Sequence, residues 1–291
     1  MEIYLPAHPP FSFYAVVNSH GWVQLAPFQQ DETEQRLTYI DRLSSGRVVV
    51  YIIHALDSGV QLHSESDLNT AEQAEAAHKV IWMLGLQQDF SEFYAMASSE
   101  LELSHVIERA QGRVLRCPTL FEDVIKTILT TNTLWAATIR MTSNLVQLYG
   151  EPLPSEPSRH AFPTPERLAT LDEATLRAEA RLGYRAPYVL ALAQASASGK
   201  MDLEALKDPD LPTPELRKRL LAIKGVGGYA AANLLNILGR YDYLPVDSWA
   251  MKMVSQEWHQ GELIGPAEVD AAFERWGKWK GLAYWFWKWK Q

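Results

Sequence analysis

The sequence predicts an α+β fold that is mostly α: a small N-terminal antiparallel sheet with a helix, followed by a helical body. Three observations carry that expectation. The chain has 291 residues with 47% hydrophobic composition, enough to bury a sizeable core. Alternating, β-branched runs are confined to the first hundred residues, where strands are expected. From Gly112 onward, apolar residues recur at spacings of three and four, the period of a helix face. We therefore expect a mixed β/α subdomain over 1–110 and a helical domain over 111–291, with no internal repeat and no linker between them.

Gly46-Arg-Val-Val-Val-Tyr-Ile-Ile-His-Ala-Leu56 alternates and is rich in β-branched residues. Asp57-Ser-Gly59 then supplies turn residues before Val60-Gln-Leu-His63, so the segment predicts a hairpin. Asn69-Thr70 predicts the cap of a helix running from Ala71 through Trp82 to Leu84. Beyond Gly112 the pattern Phe121, Ile125, Ile128, Leu129 predicts helix, and this region is expected to be almost entirely helical. Pro163-Thr-Pro165, Pro187, Pro212-Thr-Pro214 and Pro266 mark helix starts or connections, because proline is tolerated in a first turn.

Composition removes several function classes. No apolar run reaches a membrane span, and the N-terminal MEIYLPAHPP lacks the basic and apolar regions of a signal peptide, so a soluble, cytoplasmic protein without membrane partners is expected. A lone cysteine, Cys117, can build neither a disulfide framework nor a cysteine-ligated cluster. The eight histidines show no spacing that places two metal ligands on one helix face. A net charge of −8 argues against a polyanionic partner only until its distribution is considered. Residues 1–110 hold 15 acids against 5 bases, so the remainder is slightly positive. Glu215 to Lys252 includes Arg217, Lys218, Arg219, Lys224, Arg240 and Lys252, and Arg275 to Lys290 carries five cations and no acid. That distribution allows a local basic face; it equally describes ordinary solvated helix surfaces.

The most informative segment is Leu220-Leu-Ala-Ile-Lys-Gly-Val-Gly-Gly-Tyr-Ala-Ala-Ala-Asn-Leu-Leu235. Leu216, Leu220 and Ile223 share one face of an incoming helix, and an alanine-rich helix follows from Tyr229. Gly225 and Gly227 flank Val226 in the connecting turn, where glycine permits tight backbone angles and Val226 tucks inward as an apolar plug. The amides opening the second helix then face outward, where a phosphate can accept them. Three readings compete. A dinucleotide fingerprint has the glycines, and Asp247 lies twenty residues after Gly227 as a ribose-binding acid would. That reading fails because the segment before Gly225 has helical spacing and several charges rather than a buried strand. A plain turn between packed helices and a helix-hairpin-helix that grips a DNA backbone remain.

Leu244-Pro-Val-Asp-Ser-Trp249 follows this turn, and the combination resembles the helix-hairpin-helix (HhH-GPD) DNA glycosylase superfamily, whose hairpin is followed by a Gly/Pro-containing loop and a catalytic aspartate. Gly112-Arg-Val-Leu-Arg116, Ile128-Leu-Thr-Thr-Asn132, Phe162-Pro-Thr-Pro-Glu-Arg-Leu168 and Leu182-Gly-Tyr-Arg-Ala-Pro-Tyr188 extend the likeness over most of the chain. The C-terminal Trp276-Gly-Lys-Trp-Lys-Gly-Leu-Ala-Tyr284 resembles the closing helix of the bacterial 3-methyladenine DNA glycosylase II branch.

The resemblance implies a monomeric base excision repair enzyme acting on double-stranded DNA with a damaged base, which it flips from the stack and hydrolyses from its sugar. Asp247 is then the catalytic carboxylate, facing positive charge that develops on the deoxyribose; read without the family, it is a helix cap. Lys224, Gly225, Val226, Gly227 and Gly228, with Lys252, would contact DNA, and Asn132, or its neighbour Leu134, would fill the vacated gap. Tyr229, Trp249, Tyr184 and Tyr188 are the expected pocket aromatics, suited to a cationic alkylated purine. Trp285, Phe286, Trp287 and Trp289 read as packing residues. Where lyases of the superfamily carry a nucleophilic lysine, this chain has Tyr229, which implies hydrolysis only. No cofactor is required and no iron-sulfur cluster is expected; the backbone carbonyls of Ile223 and Val226 are the implied holders of a sodium or potassium ion. Leu182-Gly-Tyr-Arg-Ala186 also resembles the 8-oxoguanine branch, and a catalytically silent DNA-damage binder is the alternative outside enzymes.

Overall fold

The computed structural model describes residues 1–289 and separates into two compact units, each assembled from two stretches of chain. Unit 1 contains Met1–Gln88 and Arg113–Leu206, and unit 2 contains Asp89–Gly112 and the chain from Lys207 onward. No helix among the described residues is long and apolar enough to cross a membrane.

Unit 1 is built on an antiparallel sheet of β1 (Glu2–Pro6), β2 (Gln29–Asp31), β3 (Arg36–Arg42), β4 (Val48–Leu56) and β5 (Gly59–His63), in the order β1-β5-β4-β3-β2. The predicted hairpin is β4–β5, with Leu56 opposite Gly59 across the turn. Period-two alternation divides the faces of β3 and β4. Leu37, Tyr39 and Asp41 sit opposite Ile53, Tyr51 and Val49, so these six share one face. Ile40, Val48 and Val50 lie on the other and pack with Leu153 and Ala161. That second cover is a two-stranded hairpin, β6 (Pro152–Leu153) and β7 (Glu156–His160), inside the region expected to be helical. Gly150, Pro152, Pro154 and Pro157 explain the departure: their spacing leaves no helical turn uninterrupted, and an extended pair places Leu153 on the open sheet face.

The first face looks onto helices. The helix Thr70–Leu84 begins at Asn69 in a capping box, in which Asn69 accepts the Glu72 amide and Glu72 accepts the Asn69 amide. Its Lys79 Nζ lies 2.7 Å from Asp41 Oδ2, which also accepts the Tyr51 hydroxyl at 2.6 Å. Burial pushes the Asp41 carboxyl upward, and Lys79 and Tyr51 oppose that shift. The helix Leu120–Thr130 is buried along nearly its whole length, including Glu122, Asp123 and Lys126. Lys126 Nζ is 2.7 Å from Glu122 Oε1, while the Tyr39 hydroxyl donates to Glu122 Oε2. Asp123 accepts Trp22 Nε1 at 2.8 Å and the Cys117 amide at 3.1 Å. Further helices start at the prolines the sequence marked: Pro165 behind the Thr164 cap, and Pro187 in the first turn of Ala186–Ala197.

Unit 2 closes around aromatic residues from both of its stretches. Phe90, Phe93 and Tyr94 share a core with Tyr241, Phe273 and Trp279, with Trp279 stacked on Tyr241 at 5.6 Å between centroids. Phe286 and Trp287 are buried there, and Trp285 and Trp289 pack against it. Pro214 and Pro266 again open helices, Thr213–Leu221 and Pro266–Phe273.

Asp123 gives this architecture a measurable pH dependence. Burial pushes its carboxyl up to about 6, against the opposing hydrogen bonds from Trp22 and Cys117. Between the ordinary aspartate range and about 6 the folded chain keeps a proton that the unfolded chain has released, so this group's contribution falls as pH rises through that window. The stability of wild type relative to Asp123→Asn is expected to fall by about 2 kcal/mol between pH 4 and pH 7. Urea unfolding of both proteins at each pH measures it; a difference independent of pH would contradict the assignment.

Candidate nucleic-acid interface and active site

In unit 2 the glycine-rich turn connects the helices Thr213–Leu221 and Gly228–Ile237. Leu216, Leu220 and Ile223 are buried on the incoming side, as their spacing predicts, and Val226 is buried in the turn. The Val226 amide donates to the Ile223 carbonyl at 3.0 Å, and Gly225 has φ +89°, a left-handed conformation that side chains resist. Gly227 occupies the N-cap position without a side-chain cap, and its carbonyl accepts the Ala231 amide at 2.9 Å. The three amides before Ala231 therefore have no acceptor within the helix. Nothing lies within 4 Å of the points where Gly227 or Gly228 would carry a Cβ, so the backbone here is open to a close-approaching partner. Open amides at the positive end of a helix are an anion-binding arrangement.

The surrounding charges sort themselves. Lys218, Lys224 and Lys252 are exposed. Arg219 pairs with Glu215 at 3.0 Å, Arg217 lies over the Tyr243 ring, and Arg240 donates to the carbonyls of Asp208, Pro209 and Leu211. The C-terminal cations are less available than their sequence suggests. Arg275 pairs with Glu100, Lys278 with Glu92, and Lys280 with Asp270 and Glu274. Acids from unit 2 thus neutralise three of the five cations of this run; Lys288 is exposed, and Lys290 lies outside the described residues.

Asp247 stands at the N-cap of the helix Ser248–Trp258, its Oδ1 accepting the Ala250 amide at 2.8 Å. The cap fixes the carboxylate while the residue remains exposed. Trp249 follows at 50% exposure, its ring edge-on to Trp289 at 5.8 Å. Tyr229, at the head of the outgoing hairpin helix, is 41% exposed. Burial raises its phenol, Asn233 opposes that shift, and the Asp247 charge adds to it. Tyr284 shows the same coupling: burial pushes its phenol up, followed by Asp247 and then Tyr229. Asp247, Tyr229 and Tyr284 thus form one electrostatic group. Tyr284 was absent from the sequence-derived site residues. Its surroundings read as a packing helix, and only the fold brings it to Asp247.

In unit 1 the turn between Leu120–Thr130 and Trp135–Tyr149 carries Asn132 at φ +45° and Leu134 at 81% exposure. Tyr184 and Arg185 hold this turn. The Tyr184 hydroxyl donates to the Thr131 carbonyl at 3.0 Å, and the Arg185 guanidinium donates to the carbonyls of Thr131 and Asn132. Arg185 also lies over the Tyr184 ring at 4.4 Å, and Tyr188 meets Tyr184 edge-on at 6.3 Å. Trp135 anchors the next helix by donating Nε1 to Gln24 at 2.8 Å. The predicted site residues therefore fall into two constellations. Asn132, Tyr184 and Tyr188 gather in unit 1, and the hairpin, Asp247, Trp249 and Lys252 belong to unit 2. Arg185 was not singled out from sequence, because an arginine before a helix carries no local signal of the carbonyls it will meet.

Comparisons with known proteins show the family of the chain. The model of the HhH-GPD superfamily of base excision DNA repair proteins matches residues 125–278. The chain is 27% identical over 179 residues to DNA-3-methyladenine glycosylase 2 of Escherichia coli (strain K12), covering 59% of this chain and 57% of that protein. It thus matches a little over half the length of that curated relative. Among solved structures, the 3-methyladenine DNA-glycosylase of Archaeoglobus fulgidus superposes with TM-score 0.76 at 21% identity, covering 98% of this chain and 97% of the other. The Clostridium acetobutylicum 8-oxoguanine glycosylase/lyase, in complex with double-stranded DNA containing cytosine opposite 8-oxoguanine, superposes with TM-score 0.66 at 18% identity, covering 90% and 96%. At such identities these two likenesses are of fold.

The hairpin geometry separates its glycines experimentally. Gly225→Ala is expected to cost about 1–2 kcal/mol of stability, because alanine must enter the left-handed region. Gly227→Ala meets no atom and no such angle, and is expected to leave stability within about 0.5 kcal/mol. Chemical denaturation of the two variants tests the difference; equal losses would contradict the turn described.

Proposed function

Because the chain belongs to the HhH-GPD superfamily of base excision DNA repair proteins, we propose that it is a monofunctional DNA glycosylase that hydrolyses the N-glycosidic bond of a flipped-out alkylated purine of the 3-methyladenine type. The observation that carries the proposal is the exposed Asp247 carboxylate, fixed by the Ala250 amide just beyond an open helix-hairpin-helix.

In this reading the hairpin amides from Gly228 to Ala230 take a backbone phosphate, with Lys224 and Lys252 adding charge, and the contact positions DNA without reading its sequence. The turn at Asn132 and Leu134 fills the gap left by the flipped nucleotide; its exposed leucine and the braced carbonyls of Thr131 and Asn132 suit a rigid wedge. Tyr229 and Trp249 present electron-rich rings to a cationic base, and Tyr184 and Tyr188 support the wedge. As the bond from the base nitrogen to the sugar carbon breaks, its electron pair leaves with the base and the sugar becomes cationic. Asp247 stabilises that charge with the oxygen not held by Ala250 and orients the water that adds to the carbon. The water's second proton passes to the carboxylate or to solvent. Tyr229 occupies the position of a lyase lysine, so no Schiff base forms and the strand stays uncut.

No cofactor enters these steps. The Ile223 and Val226 carbonyls fit a monovalent cation, since Ile223 spends one lone pair on the Val226 amide and keeps another; such an ion would supply charge toward phosphate. The same reading expects a cytoplasmic monomer.

Asparagine caps a helix as well as aspartate does, so Asp247→Asn separates the cap from the chemistry. The variant is expected to keep its melting temperature and its lesion-DNA affinity while base release from 3-methyladenine duplexes falls about 100-fold or more. Base release equal to wild type would remove the mechanism; lesion binding with no release by wild type would leave a damage-binding protein. The fold shared with the Clostridium 8-oxoguanine glycosylase/lyase, together with Leu182-Gly-Tyr-Arg-Ala186, favours a second reading in which oxidised guanine is the substrate. Parallel release assays on 3-methyladenine and 8-oxoguanine duplexes decide between them.

A further inference from the structure

Unit 1 contains a cavity of about 450 Å³ that none of the steps above uses. It lies among the inner end of β3, the start of the helix Leu120–Thr130, the segment Phe162–Pro165 and the segment from Ser196 to Glu204. No residue of the hairpin, of the Asp247 region or of the Asn132 turn lines it. Its size falls within the range of small-molecule sites, and Phe121, Phe162, Pro163, Met201 and Leu203 give it an apolar wall.

The polar part of the lining is one-sided. Four carboxylates, Asp41, Glu122, Asp202 and Glu204, face a single cation, Arg42, which already donates Nε to Glu151 at 2.6 Å. Asp41 and Glu122 are buried and paired with Lys79 and Lys126, whereas Asp202 and Glu204 are exposed. An anion is disfavoured for a further reason. The helix Leu120–Thr130 would ordinarily offer its positive end here, but Glu204 Oε1 accepts the Leu120 amide at 2.8 Å and so occupies that position with a carboxylate of the protein's own. Ser196 also lines the cavity, and its hydroxyl is shut from solvent with no hydrogen-bond partner, an omission a ligand could fill.

We propose that this cavity is a second, small-molecule site, for an organic cation with a ring-shaped apolar body: its ammonium at Asp202 and Glu204, its ring against Phe121 and Phe162. Carboxylates attract the charge, and aromatic faces accept both the apolar body and the cation. The site is independent of the glycosylase reading.

Three isosteric probes test it on the full chain: 2-phenylethylammonium, neutral 2-phenylethanol and anionic phenylacetate. In amide-resolved NMR titrations at neutral pH the ammonium is expected to saturate, shifting residues 199–204, and to bind at least about tenfold more tightly than the alcohol, with phenylacetate weaker still. Met201→Trp, which fills the cavity, is expected to abolish saturation while leaving base release from damaged DNA unchanged. Asp202→Asn is expected to weaken the ammonium several-fold and leave the alcohol unaffected. Equal affinity for ammonium and alcohol, no saturable binding of any probe, or shifts confined to residues outside the cavity would each overturn the proposal. Should Met201→Trp fail to fold, as its amide spectrum would reveal, Asp202→Asn and the probe series still decide the matter.

Discussion

A helix enclosed by other elements cannot hold charged groups unless each finds a partner inside, and the helix Leu120–Thr130 holds three. Glu122 is met by Lys126 one turn on and by the Tyr39 hydroxyl from the sheet; Asp123 is met by Trp22 and the Cys117 amide. These contacts tie the helix to β3 and to the N-terminal segment, so its orientation in unit 1 is set by directional bonds as well as by apolar packing. Breaking such a pair from one side leaves a buried charge with nothing to answer it, a cost of about 3–5 kcal/mol, whereas the intact pair adds little net stability. Its main effect is on specificity of arrangement. The turn carrying Asn132 and Leu134 follows directly from this helix, and Tyr184 and Arg185 brace its carbonyls. The buried charges thus hold the helix from which that turn, the wedge of the proposed function, projects.

Unit 2 solves a different problem, the presentation of polar groups without burying them. The hairpin leaves its helix-opening amides without an acceptor inside the helix, and the space beside Gly227 and Gly228 is open. Twenty residues after Gly227, Asp247 uses one oxygen to satisfy a helix of its own, and the proposed mechanism assigns the other to chemistry. The cap and the carboxylate are therefore one feature seen from two sides, because holding the helix end also holds the second oxygen in place. Tyr229 and Tyr284 share the field of that charge, which makes the neighbourhood of Asp247 sensitive to any substitution that alters its charge.

Much of this was legible in the sequence wherever the deciding forces are local. The β4–β5 hairpin announced itself through alternation and Asp57-Ser-Gly59, the Thr70–Leu84 helix through Asn69, and the helix-hairpin-helix through the burial pattern of Leu216, Leu220, Ile223 and Val226. What escaped depended on partners far along the chain. The β6–β7 pair is short and proline-rich, and it forms because the back of β3 and β4 needs a cover. The C-terminal basic run allowed either a local basic face or an ordinary solvated surface, and the acids that pair with it come in part from Glu92 and Glu100, far upstream. Tyr284 sits in a string of aromatics where nothing local distinguishes a residue that feels the Asp247 charge from one that only packs. Nor does any local pattern announce that residues 89–112 belong with the chain beyond residue 206.

That last arrangement bears on how the chain can be divided. A fragment cut to the family-matched span, residues 125–278, would begin inside the helix Leu120–Thr130, losing Glu122 and Asp123 together with the tyrosine and tryptophan that receive them. It would also lack Phe90, Phe93 and Tyr94 at one end and Trp279 and Tyr284 at the other, removing both sides of an aromatic core at once. The span matched by the family therefore coincides with neither compact unit. Its borders record resemblance, and the borders of cooperative folding run elsewhere.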